Sequence, residues 1–293
     1  MRFFLVLLSI ILIIGMLTGC AEPPKETIVV GSKSYTEQDI LGNMLSLLIE
    51  AHTDLLVRHL DNMASHVIFS AVEMGAVDVY IDYTGTIYGS YLSLSDSNDK
   101  TEVYEVSAAI LYQKYNLSIL GMLGFNNTYG LAVRQETATQ FGLQTFSDLA
   151  QVSSDLIFGG SAEIVSRYDG LPNLMRVYDM RFKDIIEVHN EERYEAIINN
   201  DIQIVEIYTT DGLLYEYDLV LLEDDKEFFP PYHAVVVARN ETLEKHPELI
   251  TVLDLLTGLL PDDVMRSLNN RVDVGGESPR TVAESFLREK GLI

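Results

Sequence analysis

The chain has 293 residues but only one cysteine, Cys20, and no tryptophan. A single cysteine excludes an intrachain disulfide. Basic side chains are also scarce, since 20 Lys and Arg stand against 44 Asp and Glu, a formal net charge of −24. Nucleic-acid binding needs a basic face, so this balance argues against a nucleic-acid partner. It is compatible with attraction of a cationic ligand, although a solvated acidic surface explains most of it.

Long apolar runs are missing except at the start of the chain. After Arg2, the segment from Phe3 to Met16 is nearly unbroken and apolar, and Leu17-Thr18-Gly19-Cys20 closes it. This run is short for a membrane span and has the pattern of a secretory signal that ends in small residues before a cysteine. We expect residues 1–20 to be a lipoprotein signal peptide acylated at Cys20 rather than a signal anchor, and residues 21–26 to be a tether.

The remaining chain of about 270 residues exceeds one ordinary hydrophobic core and favours two lobes. Since no other apolar run is long enough to cross a membrane, a transport role would require a separate permease.

The first half alternates short β-branched runs with helical patterns. Thr27 to Val30 predicts a buried strand, and apolar residues at helical spacing predict a helix over Thr36 to Ala51. Thr36 and Asp39 are spaced as in a capping box. A strand, a glycine turn and a helix in this order place a ligand crevice at the carboxyl end of the strand. Gln38 is expected to face that crevice, or alternatively to be a solvated residue at the helix start.

Both halves contain a strand that ends in tyrosine, threonine and glycine. Val77 to Asp82 leads into Tyr83-Thr84-Gly85-Thr86, and Ile202 to Ile207 leads into Tyr208-Thr209-Thr210-Asp211-Gly212. Glycine there permits a sharp turn or close approach of the backbone to a ligand. Between them, the turn at Asn126-Asn127-Thr128 predicts a strand that leaves one lobe and enters the other, which would place Tyr129 in the cleft. Three helices are predicted after the last strand.

Five motifs taken together resemble the substrate-binding lipoproteins of osmoprotectant ABC importers, which bind glycine betaine, carnitine, choline and related quaternary ammonium compounds. They follow one another over nearly the whole chain: GSKSYTEQDILGNM from Gly31, DVYIDYTGT from Asp78, GFNNTYGLAVR from Gly124, YTTDG from Tyr208 and DDKEFFPPY ending at Tyr232. The resemblance implies an α/β, type II periplasmic-binding-protein fold, with two α/β lobes joined by two crossover segments. We assign residues 27–123 and 225–293 to a discontinuous first lobe and 124–224 to the second.

The resemblance also implies how the ligand is held. The family encloses a trimethylammonium head in a cage of tyrosines, which suits a cation that has no N–H to donate. The cage candidates by motif position are Tyr129, Tyr208 and Tyr232, followed by Tyr104 and Tyr83. The candidates for hydrogen bonds to the polar end of the ligand are Gln38, Thr86 and Asn127. The implied protein is a monomer, anchored by lipid on the extracytoplasmic side of the cell membrane, that works with an ABC permease and its ATPase.

Rival functions find less support in the sequence. No G-x-S-x-G, P-loop or H-E-x-x-H motif is present, so neither catalysis nor a cofactor is predicted. His52, His59 and His66 recur every seven residues, but a helix end and a strand carry the first two, so no metal site is predicted. Two alternatives stay open: a binding protein for another small cation or an amino acid, clamped by Arg134 or Arg167, and a lipoprotein that senses a ligand without transporting it.

Overall fold

A computed structural model of the chain describes residues 25–95, 97–166, 170–189 and 192–293. The predicted signal peptide with Cys20, most of the predicted tether and Arg167 lie outside these ranges. Within them, the strands form two five-stranded sheets, in the orders β2-β1-β3-β10-β4 and β7-β6-β8-β5-β9. The α/β, two-lobed architecture is therefore confirmed.

The first sheet combines strands from both ends of the described chain. Its members are β1 (Thr27–Lys33), β2 (Leu56–Met63), β3 (Val79–Tyr83), β4 (Leu117–Asn126) and β10 (His233–Arg239). Strand β1 pairs in parallel with β2 and β3, whereas β10 runs antiparallel to β3 and β4. The chain therefore leaves this sheet after β4 and returns to it at β10.

The second sheet lies entirely between those two points. Its members are β5 (Tyr129–Arg134), β6 (Ile157–Gly160), β7 (Asp184–Glu187), β8 (Ile204–Tyr208) and β9 (Leu219–Leu222). Strand β6 is parallel to β7 and β8, and β5 is antiparallel to β8 and β9. The two sheets thus repeat one topology, and two crossovers connect them, from β4 to β5 and from β9 to β10.

Helices cover the faces of the sheets. In the first lobe they are α1 (Thr36–His52), α2 (Ser65–Glu73), α3 (Lys100–Ile110) and, after β10, α10 (Asn240–Lys245), α11 (Glu248–Asp254), α12 (Asp262–Asp273) and α13 (Pro279–Glu289). In the second they are α4 (Gln135–Phe141), α5 (Phe146–Val152), α6 (Ala162–Ser166), α7 (Leu171–Tyr178), α8 (Arg193–Ile198) and α9 (Leu213–Glu216). Two π-helical segments (Thr86–Tyr91 and Leu111–Tyr115) and a 3₁₀ turn (Ser153–Asp155) complete the described elements.

The central strands of each sheet are buried on both faces, which explains their largely apolar sequences. In β3, Val79 and Ile81 pack into one core cluster with helix α1, while Tyr80 points into a cluster with α2. In β8, Ile204 and Val205 divide in the same way between the two clusters of the second lobe. Because all five residues of β3 are buried, the strand ends in a fixed position at the cleft.

Helix α1 forms for the predicted reason but begins differently. Its apolar face, with Ile40, Leu41 and Met44 fully buried, lies against the sheet and α13. The residue at the N-cap is Tyr35, and no side chain caps the helix. The predicted capping box is wrong because its members bond elsewhere: the Thr36 hydroxyl donates to Asp273 at 2.6 Å and Asp39 accepts from Ser32 at 3.0 Å.

The ends of the elements also differ from the prediction. Strand β4 runs to Asn126, three residues beyond residue 123, where the first segment of the first lobe was predicted to end. The lobe boundaries stay a prediction. Residues 240–293 form four helices rather than three. In the part of the chain that the structure describes, no helix combines the length and the apolar character needed to cross a membrane.

Candidate functional site

A cavity of about 460 Å³ lies between the two lobes. Its wall is built from the ends of strands, the start of α1, the crossovers and helix α12. The residues that line it are Tyr35, Thr36, Glu37, Tyr83, Thr86, Asn127, Thr128, Tyr129, Tyr208, Thr210, Asp211, Gly212, Tyr232, Asn269 and Asp273. Because parallel strands end at a common edge of their sheet, loops that are distant in sequence meet there.

The second lobe contributes a pair of tyrosines. Tyr129 at the start of β5 lies opposite Tyr208 at the end of β8 in the antiparallel register. Their ring centroids are 5.2 Å apart with the planes inclined by 34°. Behind them, the Phe229 ring centroid is 5.7 Å from that of Tyr129. The sheet register and this aromatic packing together fix the two rings at the cavity wall.

The two crossovers are hydrogen-bonded to each other beside these rings. The Asn127 amide donates to the Tyr232 carbonyl at 3.1 Å, and the Tyr232 amide donates to Asn126 Oδ1 at 2.6 Å. The Thr209 amide donates to the Thr128 carbonyl at 3.0 Å. Consequently Asn127, Tyr129 and Tyr232 lie on or next to the two crossovers that connect the lobes.

Tyr232 reaches the cavity by packing over a glycine. A Cβ atom on Gly85 would lie 2.7 Å from the Pro231 carbonyl oxygen and 2.9 Å from the Tyr232 ring. The glycine of the Tyr83-Thr84-Gly85-Thr86 turn therefore permits close approach of the second crossover to the end of β3.

A buried carboxylate joins the walls of the cavity. Glu37, 3% exposed, accepts at Oε1 from the Tyr83 hydroxyl at 2.5 Å and from Asn127 Nδ2 at 2.9 Å. Its Oε2 accepts from Asn269 Nδ2 at 3.1 Å. Burial raises the pKa of the Glu37 carboxyl above its usual value, while hydrogen bonds, including one from Thr210, oppose the rise.

Helix α12 bridges the first lobe to the loop after β8. Asn269 Nδ2 donates to the Thr210 carbonyl at 2.9 Å, and Asn270 Nδ2 donates to the Gly212 carbonyl at 3.0 Å. A Cβ on Gly212 would lie 2.5 Å from the Asn270 amide nitrogen. The contact between the lobes therefore depends on glycine at position 212.

A buried ion pair supports the same loop from inside the second lobe. Arg193, 5% exposed, bonds through Nη2 to Asp211 Oδ2 at 2.7 Å. Its Cζ lies 5.9 Å from the Tyr208 ring centroid. The pair neutralises Asp211 and holds the loop that carries Tyr208.

The structure brings most of the predicted site residues together. Those on the cavity wall are Tyr129, Tyr208, Tyr232, Tyr83, Thr86 and Asn127. Their roles in binding stay predictions.

Gln38 and Tyr104 lie elsewhere. Gln38 is 1% exposed and sits behind the wall, where its Nε2 donates to the Tyr83 hydroxyl at 3.0 Å. Tyr104 on α3 is half-buried against the hydrophobic cluster that contains Phe69, and it does not line the cavity. The position of the Gln38 side chain differs from the prediction because Glu37, one residue earlier, faces the cavity instead. Tyr104 differs because no motif fixed its orientation.

Nine of the fifteen wall residues were not predicted as site residues, among them Tyr35, Glu37, Asn269 and Asp273. Tyr35 and Glu37 belong to the Gly31 motif and could have been predicted, because they lie immediately before the helix at the crevice and in its first turn. Asn269 and Asp273 come from α12, more than two hundred residues later, and carry no local signal.

Among the described residues, the candidates for rival functions, Arg134 and the three histidines, do not line the wall. Arg134 bonds to Asn200 on the second lobe and does not line the cavity. Among the described residues there is no group of three side chains suited to hold a metal ion. His59 is half-buried, and its Nε2 lies 2.9 Å from the Ser32 hydroxyl.

Two α/β lobes, joined by two crossovers around an aromatic cavity, define a two-lobed solute-binding protein. The chain belongs to the family of substrate-binding domains of ABC-type glycine betaine transport systems, whose model matches residues 26–289. It is accordingly a substrate-binding protein of an ABC transport system and not a member of an enzyme family. Proteins of this family act outside the cytoplasm. Membership of the family implies that a ligand, a membrane permease and an ATPase are partners.

Individual relatives agree with this assignment. The chain is 36% identical over 269 residues to the ergothioneine transport permease/ergothioneine binding protein EgtU of Helicobacter pylori, covering 92% of this chain but 48% of that protein. It thus spans about half of that relative's length. It is 34% identical over 300 residues to the carnitine transport binding protein OpuCC of Listeria monocytogenes, covering 99% of this chain and 97% of that one.

A solved structure described as a glycine betaine/carnitine/choline ABC transporter has a TM-score of 0.87 and 32% identity. The superposition covers 90% of this chain and 99% of that one. The apo form of YehZ from Escherichia coli, at 22% identity and a TM-score of 0.80, shares the fold.

Proposed function

We propose that the chain captures a quaternary ammonium osmoprotectant, such as glycine betaine, carnitine or choline, between its lobes and delivers it to a membrane permease. The observation that carries this proposal is the convergence of tyrosines on one cavity from both lobes and from a crossover: Tyr83, Tyr129, Tyr208 and Tyr232. The relatives named for carnitine and ergothioneine binding support the same class of ligand.

The chemistry of the ligand explains why tyrosines would line its site. A trimethylammonium group has no N–H bond to donate, so it is held by aromatic faces, each contributing roughly 0.5–2 kcal/mol. Tyrosine presents such a face while its hydroxyl stays hydrogen-bonded. With no tryptophan in the chain, tyrosine and phenylalanine are the available rings.

Lobe movement would complete the site. Tyr129 and Tyr208 belong to the second sheet, whereas Tyr83 ends a strand of the first. Closure of the lobes therefore brings the rings together around the cation and excludes water. At the polar end, Thr86 and Asn127 are the proposed hydrogen-bonding partners. The closed form would then dock on the permease.

Alanine substitution tests the proposed cage. Tyr129→Ala and Tyr208→Ala should each weaken binding of the preferred trimethylammonium ligand at least about tenfold, because each removes one face from the cation. Calorimetric titration of purified protein that starts at Ala21 measures this effect. Tyr104→Ala is the matched control, since Tyr104 does not line the cavity and should leave the affinity unchanged. Unchanged affinity in both cage variants would remove these residues from the site.

We also propose that Cys20 carries the lipid that holds the protein at the extracytoplasmic face of the membrane. The Leu17-Thr18-Gly19-Cys20 pattern after an apolar run supports this proposal. Stable attachment needs more than one acyl chain, which a diacylated cysteine supplies. Monomeric action and the residue ranges given above for the two lobes are proposed on the same family resemblance.

A further inference from the structure

Glu37 is a buried carboxylate whose hydrogen-bond partners are all uncharged. The side chains of Tyr83, Asn127, Asn269 and Thr210 surround its two oxygens. These partners come from the end of β3, the first crossover, α12 and the loop after β8. Glu37 therefore occupies the point where both lobes and a crossover meet.

The geometry of this network suits the ionised form of Glu37. The Tyr83 hydroxyl accepts a hydrogen bond from Gln38, so its own proton is directed towards Glu37. The amide nitrogens of Asn127 and Asn269 can only donate. A carboxylate accepts all of these bonds, whereas a protonated carboxyl would give up one acceptor position. The first turn of the 17-residue helix α1, where Glu37 lies, also favours negative charge.

No positive charge balances this carboxylate within the part of the chain that the structure describes. Lys33, which lies 5.0 Å from the Tyr83 ring centroid, is paired with Asp82, and Arg193 is paired with Asp211. None of the described ion pairs includes Glu37. Because a buried charge without a partner is costly, a cation that enters the cavity gains from its presence.

We infer that Glu37 supplies the counter-charge for the cationic head of the ligand, so that the site selects a quaternary ammonium over an uncharged group of the same shape. The inference rests on the proposed function and adds to it a residue that determines specificity. Tyrosine faces alone also pack well against a neutral tert-butyl group. The carboxylate discriminates between the two because its attraction depends on charge, and its burial limits screening by water and salt.

Other charged and titratable groups at the cavity are less suited to this role. Asp211 is neutralised by Arg193, and Asp273, which accepts from Thr36, is exposed. The hydroxyl groups of Tyr35 and Tyr83 stay protonated at neutral pH, since burial and the Glu37 charge raise their pKa values. Behind Tyr83, the Lys33–Asp82 pair has no net charge.

The first test compares glycine betaine with 3,3-dimethylbutanoate, in which carbon replaces the quaternary nitrogen. Binding of each is measured by calorimetry, with competition for the weaker ligand, in the wild-type protein, Glu37→Gln and Glu37→Asp. We expect Glu37→Gln to lose at least about tenfold of the preference for betaine, because only betaine places a positively charged head group against the Glu37 carboxylate. Glu37→Asp keeps the charge and should keep most of the preference, even if both ligands bind less tightly.

Glu206→Gln is the matched control. Glu206 is 1% exposed and accepts from the Ser161 amide at 2.9 Å, but it does not line the cavity. This variant should keep the wild-type preference. If Glu37→Gln weakens both ligands equally, or neither, the inference is overturned and Glu37 only positions its neighbours. If the wild-type protein binds none of glycine betaine, carnitine and choline, the proposed function fails and the inference falls with it.

A second readout is the uptake or release of protons. A bound cation favours the ionised form of Glu37 and so lowers its pKa. At pH values near the pKa of the ligand-free protein, binding therefore releases protons, and the affinity weakens as the pH falls through that range. Calorimetry in buffers of different ionisation enthalpy measures the release. It should persist in Asp273→Asn and disappear in Glu37→Gln. Proton release that disappears instead in Asp273→Asn would assign the counter-charge to Asp273. If Glu37→Gln does not fold, the comparison of wild-type protein with Asp273→Asn still shows whether the proton release depends on Asp273.

Discussion

At the scale of single residues, some side chains line the cavity while their neighbours lie behind the wall and hold them in position. Glu37 lines the cavity, and the next residue, Gln38, supports it by holding the Tyr83 hydroxyl. In the same way Phe229 backs Tyr129. A side chain that never touches the ligand can therefore change binding by moving one that does.

Position 85 offers a test at this scale. Gly85→Ala should weaken ligand binding about tenfold, since a methyl group 2.9 Å from the Tyr232 ring would displace that ring and remove much of one aromatic face. Titration of the same ligand before and after the substitution measures the change. Gly89→Ala is the control, because the nearest atom to its added Cβ would be 4.0 Å away. Equal affinities of wild type and Gly85→Ala would show that Tyr232 contributes little.

Sequence patterns located six wall residues because motifs fix position along the chain. They did not decide between Glu37 and Gln38, since adjacent residues in the first turn of a helix point about 100° apart and only packing selects the one that faces the cavity. Glu37 was missed for this reason, although its neighbour was proposed.

At the scale of elements, buried strands bounded by glycine were predicted well, because two-sided burial demands unbroken apolar runs. The helices after β10 were predicted less well. Residues 240–254 form two helices, α10 and α11, instead of one. The break falls at His246, which adopts φ −128° and ψ 68° before Pro247. A residue that precedes proline is disfavoured in the helical conformation, so the sequence did contain this signal.

The loop after β8 is the element on which contact between the lobes depends. Gly212→Ala should weaken ligand binding about tenfold, because an added methyl group 2.5 Å from the Asn270 amide nitrogen forces α12 and the loop apart and breaks hydrogen bonds worth about 1 kcal/mol each. The free energy of unfolding of the unliganded protein should fall by less than the free energy of binding does, since each lobe keeps its own core. Titration together with thermal unfolding distinguishes these effects. A large loss of stability with unchanged affinity would contradict this account.

At the scale of the whole molecule, the two-lobed architecture followed from chain length and the repeated strand–helix pattern. The contribution of α12 could not be predicted, because Asn269 and Asp273 reach the cavity only through the tertiary packing of a helix near the end of the chain.

The proposed lipid on Cys20 determines where the whole protein is found in the cell. Cys20→Ser should move the protein from the membrane fraction to the soluble or secreted fraction, because a serine cannot take the thioether-linked lipid proposed to hold the protein at the membrane. Fractionation of cells that express each form, followed by immunoblotting, measures the distribution. Retention of Cys20→Ser in the membrane fraction would favour an uncleaved signal anchor.

The most direct test of the central claim is calorimetric titration of the soluble protein from Ala21 onward, purified free of bound solute. The panel contains glycine betaine, carnitine, choline, ergothioneine, proline and several ordinary amino acids. Saturable binding of one or more trimethylammonium compounds, with proline and the ordinary amino acids silent, is the result that this account predicts. Binding of an amino acid without the quaternary head, with the trimethylammonium compounds silent, would contradict the tyrosine cage and the charge selection assigned to Glu37.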